Sequence, residues 1–167
     1  GVMMGTRSGD IDGGAVAFIQ KKLGLDADGI SDLLNKKSGV LGISGISSDM
    51  REIDAAAENG DPKAVLALAM YNYRIKKYVG AYAAAMGGVD IVVFTAGVGE
   101  NSGSMRARIC EGLEYLGVKI DPEKNTIRGK EAIISADDSK VTVWVIPTNE
   151  ELMIAQDTAE LVKAAKK

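Results

Sequence analysis

The residues best suited to chemistry lie in Phe94-Thr95-Ala96-Gly97-Val98-Gly99-Glu100-Asn101-Ser102. The run Ile91 to Thr95 just before is apolar at both parities, which predicts a buried parallel strand. Gly97 and Gly99 permit positive φ and put no Cβ between backbone and ligand. Asn101 and Ser102 are suitable N-caps, and Met105, Ile109, Leu113 and Leu116 follow at helical spacing, so a helix is expected to begin where the loop ends. Strand, glycine loop and helix N-terminus together aim backbone N–H groups and a positive dipole end at one spot, where a phosphate or a nucleotide can sit. A plain tight strand-to-helix turn would need the same glycines.

The elements that must position this loop follow from the rest of the chain. At 167 residues it is one domain, or one with a small appendage, and its 46% apolar and 26% charged residues suit a globular protein with a core. A net charge of −3 without a basic block argues against nucleic acid as a partner. No apolar run approaches the ~18 residues of a membrane span, and the single cysteine, Cys110, reads as a packed thiol that fits a reducing cytoplasm. Histidine is absent, which removes Ser-His and Cys-His nucleophile pairs and histidine metal sites. The opening Gly1-Val2-Met3-Met4-Gly5 reads as the interior of a longer protein.

Asp12 is expected to cap a helix with Val16, Ile19 and Leu23 inward and Gly24 at its end. A second helix, 25–37, would bury Ile30, Leu33 and Leu34. Val40 to Ser48 carries too many glycines for a central strand and is expected to be an irregular loop or edge segment. Asp49 should cap a short helix to Glu58, and Asp61-Pro62 should open the longest one, with a core stripe of Val65, Leu68, Asn72, Ile75, Val79, Tyr82 and Met86. Short extended pieces are expected at 118–120 and 132–134 and a second buried strand at 141–146. That strand leads through Pro147-Thr148-Asn149-Glu150-Glu151 to a final helix. Parallel strands would bring this loop and the glycine loop to one sheet edge, where ligands of open α/β sheets bind.

Four stretches, in matching order and spacing, resemble the acetate kinase (acetokinase) family. They are Met3-Met4-Gly5-Thr6-Arg7-Ser8-Gly9-Asp10, Asn35-Lys36-Lys37-Ser38-Gly39-Val40-Leu41-Gly42, Phe94 to Ser102, and Ile146-Pro147-Thr148-Asn149-Glu150-Glu151. The resemblance runs the length of the chain but covers only the C-terminal part of the family. It implies an α/β fold of the ribonuclease-H-like type shared with actin, Hsp70 and sugar kinases, helix-rich and with an incomplete sheet. Residues 1–167 would be the nucleotide-binding domain of a two-domain kinase, without the N-terminal domain and the first strands of this one. The implied reaction is ATP-dependent phosphorylation of acetate, with ATP/ADP and Mg2+ as cofactors and a homodimer as the assembly. A propionate or butyrate kinase is the alternative within that class, and a non-catalytic nucleotide-binding or dimerisation module outside it. An NAD-binding oxidoreductase is more distant, because the glycine spacing is not GxGxxG and no acidic residue follows a second strand at about 20 residues.

By the same resemblance Arg7 is the transition-state arginine, whose planar fork suits the equatorial oxygens of a transferring phosphoryl group. Its alternative is a loop-pinning pair with Asp10 or Asp12. Gly97, Val98, Gly99, Glu100 and Asn101 match the adenosine loop. Asp49, Met50 and Arg51 match a segment flanking adenine, where Arg51 could stack on the base; ordinary capping by Asp49 is the alternative. Glu150 matches the magnesium-linked glutamate, while Thr148 and Glu151 read as a capping box beside it. Gly13 stands where the family usually has proline, which loosens the first turn after the Arg7 loop. Lys36 and Lys37 close a helix and are read as structural.

Overall fold

Four aspartates in the first half of the chain each start a helix. The computed structural model describes residues 1–165, which fall into two compact units divided between Gly88 and Val89. In the first, Asp12 accepts from the Ala15 N–H and opens α1 (Gly13–Leu23), which Gly24 closes at φ 64°. Asp26 accepts from the Gly29 N–H ahead of α2 (Ala27–Lys36). Asp49 accepts from the Arg51 N–H at the start of α4 (Met50–Glu58). Asp61 accepts from Lys63 and Ala64 N–H at the start of α5 (Pro62–Met86), whose first residue is the proline expected there.

Between α2 and α4 the sequence expectation is overturned. Residues Gly39–Ser44 form a helix, α3, and not a loop or edge segment. Of the glycines that argue against a strand, Gly42 lies inside the helix and Gly45 closes it at φ 68°, while Gly39, its first residue, is at φ 62°, where a left-handed residue starts or stops a helix without the cost a Cβ would bring. The helix is anchored by Val40 and Ser44, both buried.

The stripe expected on α5 holds at Leu68 and Asn72, which are buried, and fails at its two ends. The buried residues of α5 are Ala64, Ala67, Leu68, Asn72 and Ala83, whereas Val65, Tyr82 and Met86 are exposed. Small side chains let α3 and α4 lie close against α5, so alanines occupy the contact and the large residues are turned out of it. No residue of α1 or α2 is fully buried, and Leu23 is exposed, so the inner faces expected there are at most half covered.

In the second unit β1 (Ile91–Phe94) and β3 (Thr142–Val145) run parallel, in register from Ile91 opposite Thr142 to Phe94 opposite Val145. Strand β2 (Ala132–Ile133) pairs antiparallel with β3, giving the order β1-β3-β2. Bridges Val118–Val141 and Ile120–Ser135 account for the expected extended pieces. Val141, Val143 and Val145 are buried, so β3 is the strand of the core. β1 is not buried on both faces as expected: it is one of the two edge strands of this sheet, and Ile91 and Val93 are 52% and 47% exposed. Helix α6 (Ala96–Asn101) follows β1, then α7 (Gly103–Cys110), then α8 (Glu150–Ala165) follows β3. On α7, Met105, Arg106, Ile109 and Cys110 face inward.

Candidate functional site

Arg7 lies on a loop that helix α3 holds by the backbone. The N–H groups of Val40 and Leu41 donate to the carbonyls of Met4 and Gly5 at 2.9 Å, and Ser38 N–H donates to Thr6 O at 3.0 Å. Thr6 Oγ1 donates to Asn35 O, and Ser8 N–H to Leu34 O. Gly39 makes the approach possible: a Cβ there would stand 2.2 Å from Met4 O and 2.8 Å from Arg7 O. The stretch Asn35–Gly42 is thus a cradle for the arginine loop, and the α3 N–H groups that could have met an anion are already spent on it.

Arg7 itself is exposed and makes no hydrogen bond or ion pair with its side chain among the described residues. The pairing with Asp10 or Asp12 is not formed. Asp10 pairs with Arg74, whose guanidinium also donates to Asp10 O at 2.9 Å, and Asp12 is occupied as the α1 cap. A guanidinium left uncommitted on a fixed loop is available to an anionic ligand. Lys36 and Lys37 behave as read from the sequence, both pairing with Asp32, whose carboxyl they hold below its ordinary value.

The segment 47–51 adjoins this loop: a Cβ on Gly5 would meet Ser48 O at 2.8 Å. Asp49 caps α4 and also receives the Arg51 guanidinium, with Nε at 3.0 Å from Oδ1. Hydrogen bonds from the Arg51 side chain, then from its N–H, hold the Asp49 carboxyl down to about 2. Arg51 is therefore folded onto its own cap, and a place over a planar base requires it to turn away from Asp49. Met50 follows as the first residue of α4 and is half-buried.

In the second unit the glycine loop differs from expectation. The loop itself is helical from Ala96, as α6, and the expected helix then begins as α7 after Ser102, whose hydroxyl accepts from Met105 N–H at 3.3 Å as its cap. Neither Gly97 nor Gly99 has positive φ; Ala96 does, at 59°. The glycines serve through the missing side chain. Gly99 presses on the end of β1, where a Cβ would stand 3.3 Å from Phe94 C, and at Gly97 a Cβ would meet nothing within 4 Å. The Gly97 surface is thus open to a ligand, which is the fit a nucleotide loop requires. Asn101 folds back, its Nδ2 donating to Gly97 O at 2.9 Å, and Val98 O accepts from Ser102 N–H.

A residue that sequence reasoning passed over fixes this loop from beneath. Arg106 is fully buried, with no carboxylate among its hydrogen-bond partners. Its Nη1 donates to Gly99 O at 2.8 Å, its Nε to Asn125 Oδ1, and its Nη2 to the carbonyls of Asn125 and Ile127. Burial pushes its pKa below the ordinary value, with Arg128 adding to the shift. The signal was present in the sequence: Arg106 falls between Met105 and Ile109 on the face that the helical spacing marks as internal.

Glu100 also has a defined task. Its Oε1 accepts from Thr148 N–H at 2.9 Å and from Thr148 Oγ1 at 3.1 Å. The expected capping box is therefore replaced: Asn149 Oδ1 caps α8, accepting from Leu152 N–H at 3.1 Å, and Thr148 is turned to Glu100. Glu150 is exposed and makes no hydrogen bond or ion pair among the described residues. No cluster of three potential metal ligands occurs among those residues. A single free carboxylate fits magnesium, which keeps most of its water and takes its other ligands from phosphate. Because β1 and β3 are parallel and in register, the Glu100 and Glu150 loops leave the same edge of the sheet.

Residues 1–156 match the model of the acetokinase family. The chain is 70% identical over 162 residues to an acetate kinase of Phocaeicola vulgatus, covering 97% of this chain and 41% of that protein. The crystal structure of Porphyromonas gingivalis acetate kinase superposes with a TM-score of 0.91 at 59% identity, over 97% of this chain and 41% of that one. A propionate kinase from Francisella tularensis gives 0.85 at 44% identity, over 93% and 40%.

Proposed function

The chain belongs to the acetokinase family, and from that premise we propose that it is the nucleotide-holding part of an enzyme that phosphorylates acetate with ATP. Its fold is accordingly the ribonuclease-H-like α/β type expected from the sequence, helix-rich around a small sheet. The observation that carries the proposal is Arg7, an unpaired guanidinium on a loop held at several backbone points by α3. In phosphoryl transfer little covalent work falls to the protein; positioning and charge stabilisation do most of it.

In this reading the loop Gly97–Asn101 receives adenosine along its open backbone, and the roles of Asp49, Met50 and Arg51 as adenine-flanking residues are taken from the family resemblance alone. Arg7 donates to the equatorial oxygens of the γ-phosphoryl group as it moves from ADP to the acetate carboxylate, giving acetyl phosphate. Magnesium, when bound, supplies charge neutralisation on the phosphates, and Glu150 is the residue of this chain that would hold it, directly or through water. The chain spans 41% of the acetate kinases it matches, so we assign acetate binding to the remainder of such a protein. The exposed Leu66, Met70 and Tyr73, spaced along one side of α5, would suit a homodimer contact. The buried Cys110 thiol suits a reducing cytoplasm. The likeness to a propionate kinase keeps propionate as the second candidate acid.

The test is a chimera in which this chain replaces the matching part of the P. gingivalis enzyme. It should form acetyl phosphate from acetate and Mg-ATP, trapped as the hydroxamate, while the isolated chain forms none. Arg7→Ala in the chimera should lower kcat by about 10³-fold or more. A folded chimera that binds ADP but makes no acyl phosphate would sink the proposal.

A further inference from the structure

The sequence places Glu100 among the nucleotide ligands, yet its carboxylate is engaged elsewhere. Oε1 accepts both from Thr148 N–H and from Thr148 Oγ1. The backbone on either side is tied as well: Glu100 O accepts from Gly129 N–H at 3.1 Å, and Gly99 O is held by Arg106. Asn101 is folded back onto Gly97 O. Every anchor of Glu100 therefore belongs to the frame of the glycine loop except one, its carboxylate, which reaches across to the loop after β3. Thr148 lies two residues before Glu150, and the Asn149 cap between them fixes where α8 begins.

From this we infer that Glu100 is a positioning residue, a latch that makes the glycine loop and the β3–α8 loop move as one, so that occupancy of the first sets the placement of Glu150. The inference rests on the reading of the glycine loop as the adenosine loop and Glu150 as the magnesium-linked carboxylate. The chemistry suits a latch. A charge-assisted hydrogen bond to a backbone N–H fixes the polypeptide itself, and the second bond, to Oγ1, fixes the side-chain rotamer of the same residue. Both donors converge on one oxygen, so an uncharged amide oxygen in its place can receive them too. Alanine cannot.

Amide hydrogen exchange on the whole chain, with and without ADP, reads the latch directly. Without nucleotide, Glu100→Ala should speed exchange at Thr148 by about tenfold, while Glu100→Gln stays within about threefold of wild type, as expected for losing one charge-assisted bond. Thr148→Val, which keeps the N–H, should leave that amide protected. Protection at Val143 in the core of β3 should be unchanged throughout, which separates latch loss from general unfolding. With saturating ADP and magnesium, protection at Thr148 should rise in wild type and in Glu100→Gln but not in Glu100→Ala.

Thr148 exchange that is indifferent to Glu100→Ala overturns the inference whatever ADP does. An ADP-induced rise of equal size in wild type and in Glu100→Ala overturns it too. If Thr148 protection depends on Glu100 but ADP changes nothing in wild type, the latch stands, and it is the nucleotide reading of the glycine loop that fails.

Discussion

At the scale of single residues, much of the candidate site consists of side chains that keep backbone in place and not of side chains that meet a ligand. Arg106 is the clearest case. A buried cation without a carboxylate costs several kcal/mol to desolvate, offset here by four hydrogen bonds, three of them to carbonyls. Ala96 shows the opposite case, since it is held at φ 59° although the next residue, Gly97, is a glycine without positive φ. A left-handed alanine costs about 1–2 kcal/mol, and strain of this kind collects where a loop is held for binding. Because Ala96 is exposed, Ala96→Gly removes the strain and no packing. The gain is partly cancelled by the extra freedom glycine brings to the unfolded chain, about 0.4–1 kcal/mol. The variant should therefore be more stable by about 0.5–1 kcal/mol, seen as a higher urea midpoint with an unchanged slope. A lower midpoint would mean that the alanine methyl makes a contact that outweighs its strain.

At the scale of elements, what could be read from the sequence is what short-range chemistry decides. Asp12, Asp49 and Asp61 cap the helices they were expected to cap, since capping needs only residues two or three positions away. The strand at 142–145 and its parallel relation to β1 follow from two apolar runs with helices between. The failures all involve partners far along the chain. Thr148 was read as a cap because Glu151 is three residues on; it was Glu100, 48 residues earlier, that claimed it. On α5 the expected Leu68 and Asn72 are buried, but at the ends of the stripe contact with the rest of the unit selects Ala64, Ala67 and Ala83 over Val65, Tyr82 and Met86. Helix α3 runs against the propensity of its glycines, and the first of them, Gly39, lets the Arg7 loop lie on it. That task is testable. Gly39→Ala combines a left-handed alanine with a Cβ 2.2 Å from Met4 O, and should cost at least about 3 kcal/mol. Gly24→Ala, at φ 64° with nothing within 4 Å of the added Cβ, should cost only the strain of about 1–2 kcal/mol. Limited trypsin digestion gives the second reading: cleavage after Arg7 should accelerate in Gly39→Ala and not in Gly24→Ala. Equal behaviour of the two would remove α3 as the cradle.

At the scale of the whole molecule, exposed apolar residues occur on most elements, and two elements of the second unit carry several of them. They are Ile91 and Val93 on β1, whose sequence reads as internal, and Leu152, Met153, Ile154, Leu161 and Val162 on α8. An edge strand with an open apolar face is a template for pairing with whatever strand comes near. The acetate kinases that this chain matches are more than twice its length, and their additional chain is the natural cover for such faces. This gives one substitution two opposite expected effects. In the isolated chain Val93→Lys should slow the growth of aggregates, measured by light scattering, because a lysine on an edge strand opposes strand addition. In the chimera with the P. gingivalis enzyme the same lysine would be forced under a cover, and burying its charge should lower stability by about 2 kcal/mol or more. If Val93→Lys were harmless in the chimera, β1 would be an exposed edge in the longer protein as well. Cover by the additional chain would then be the wrong account of its apolar face, and a second copy of the molecule the better one.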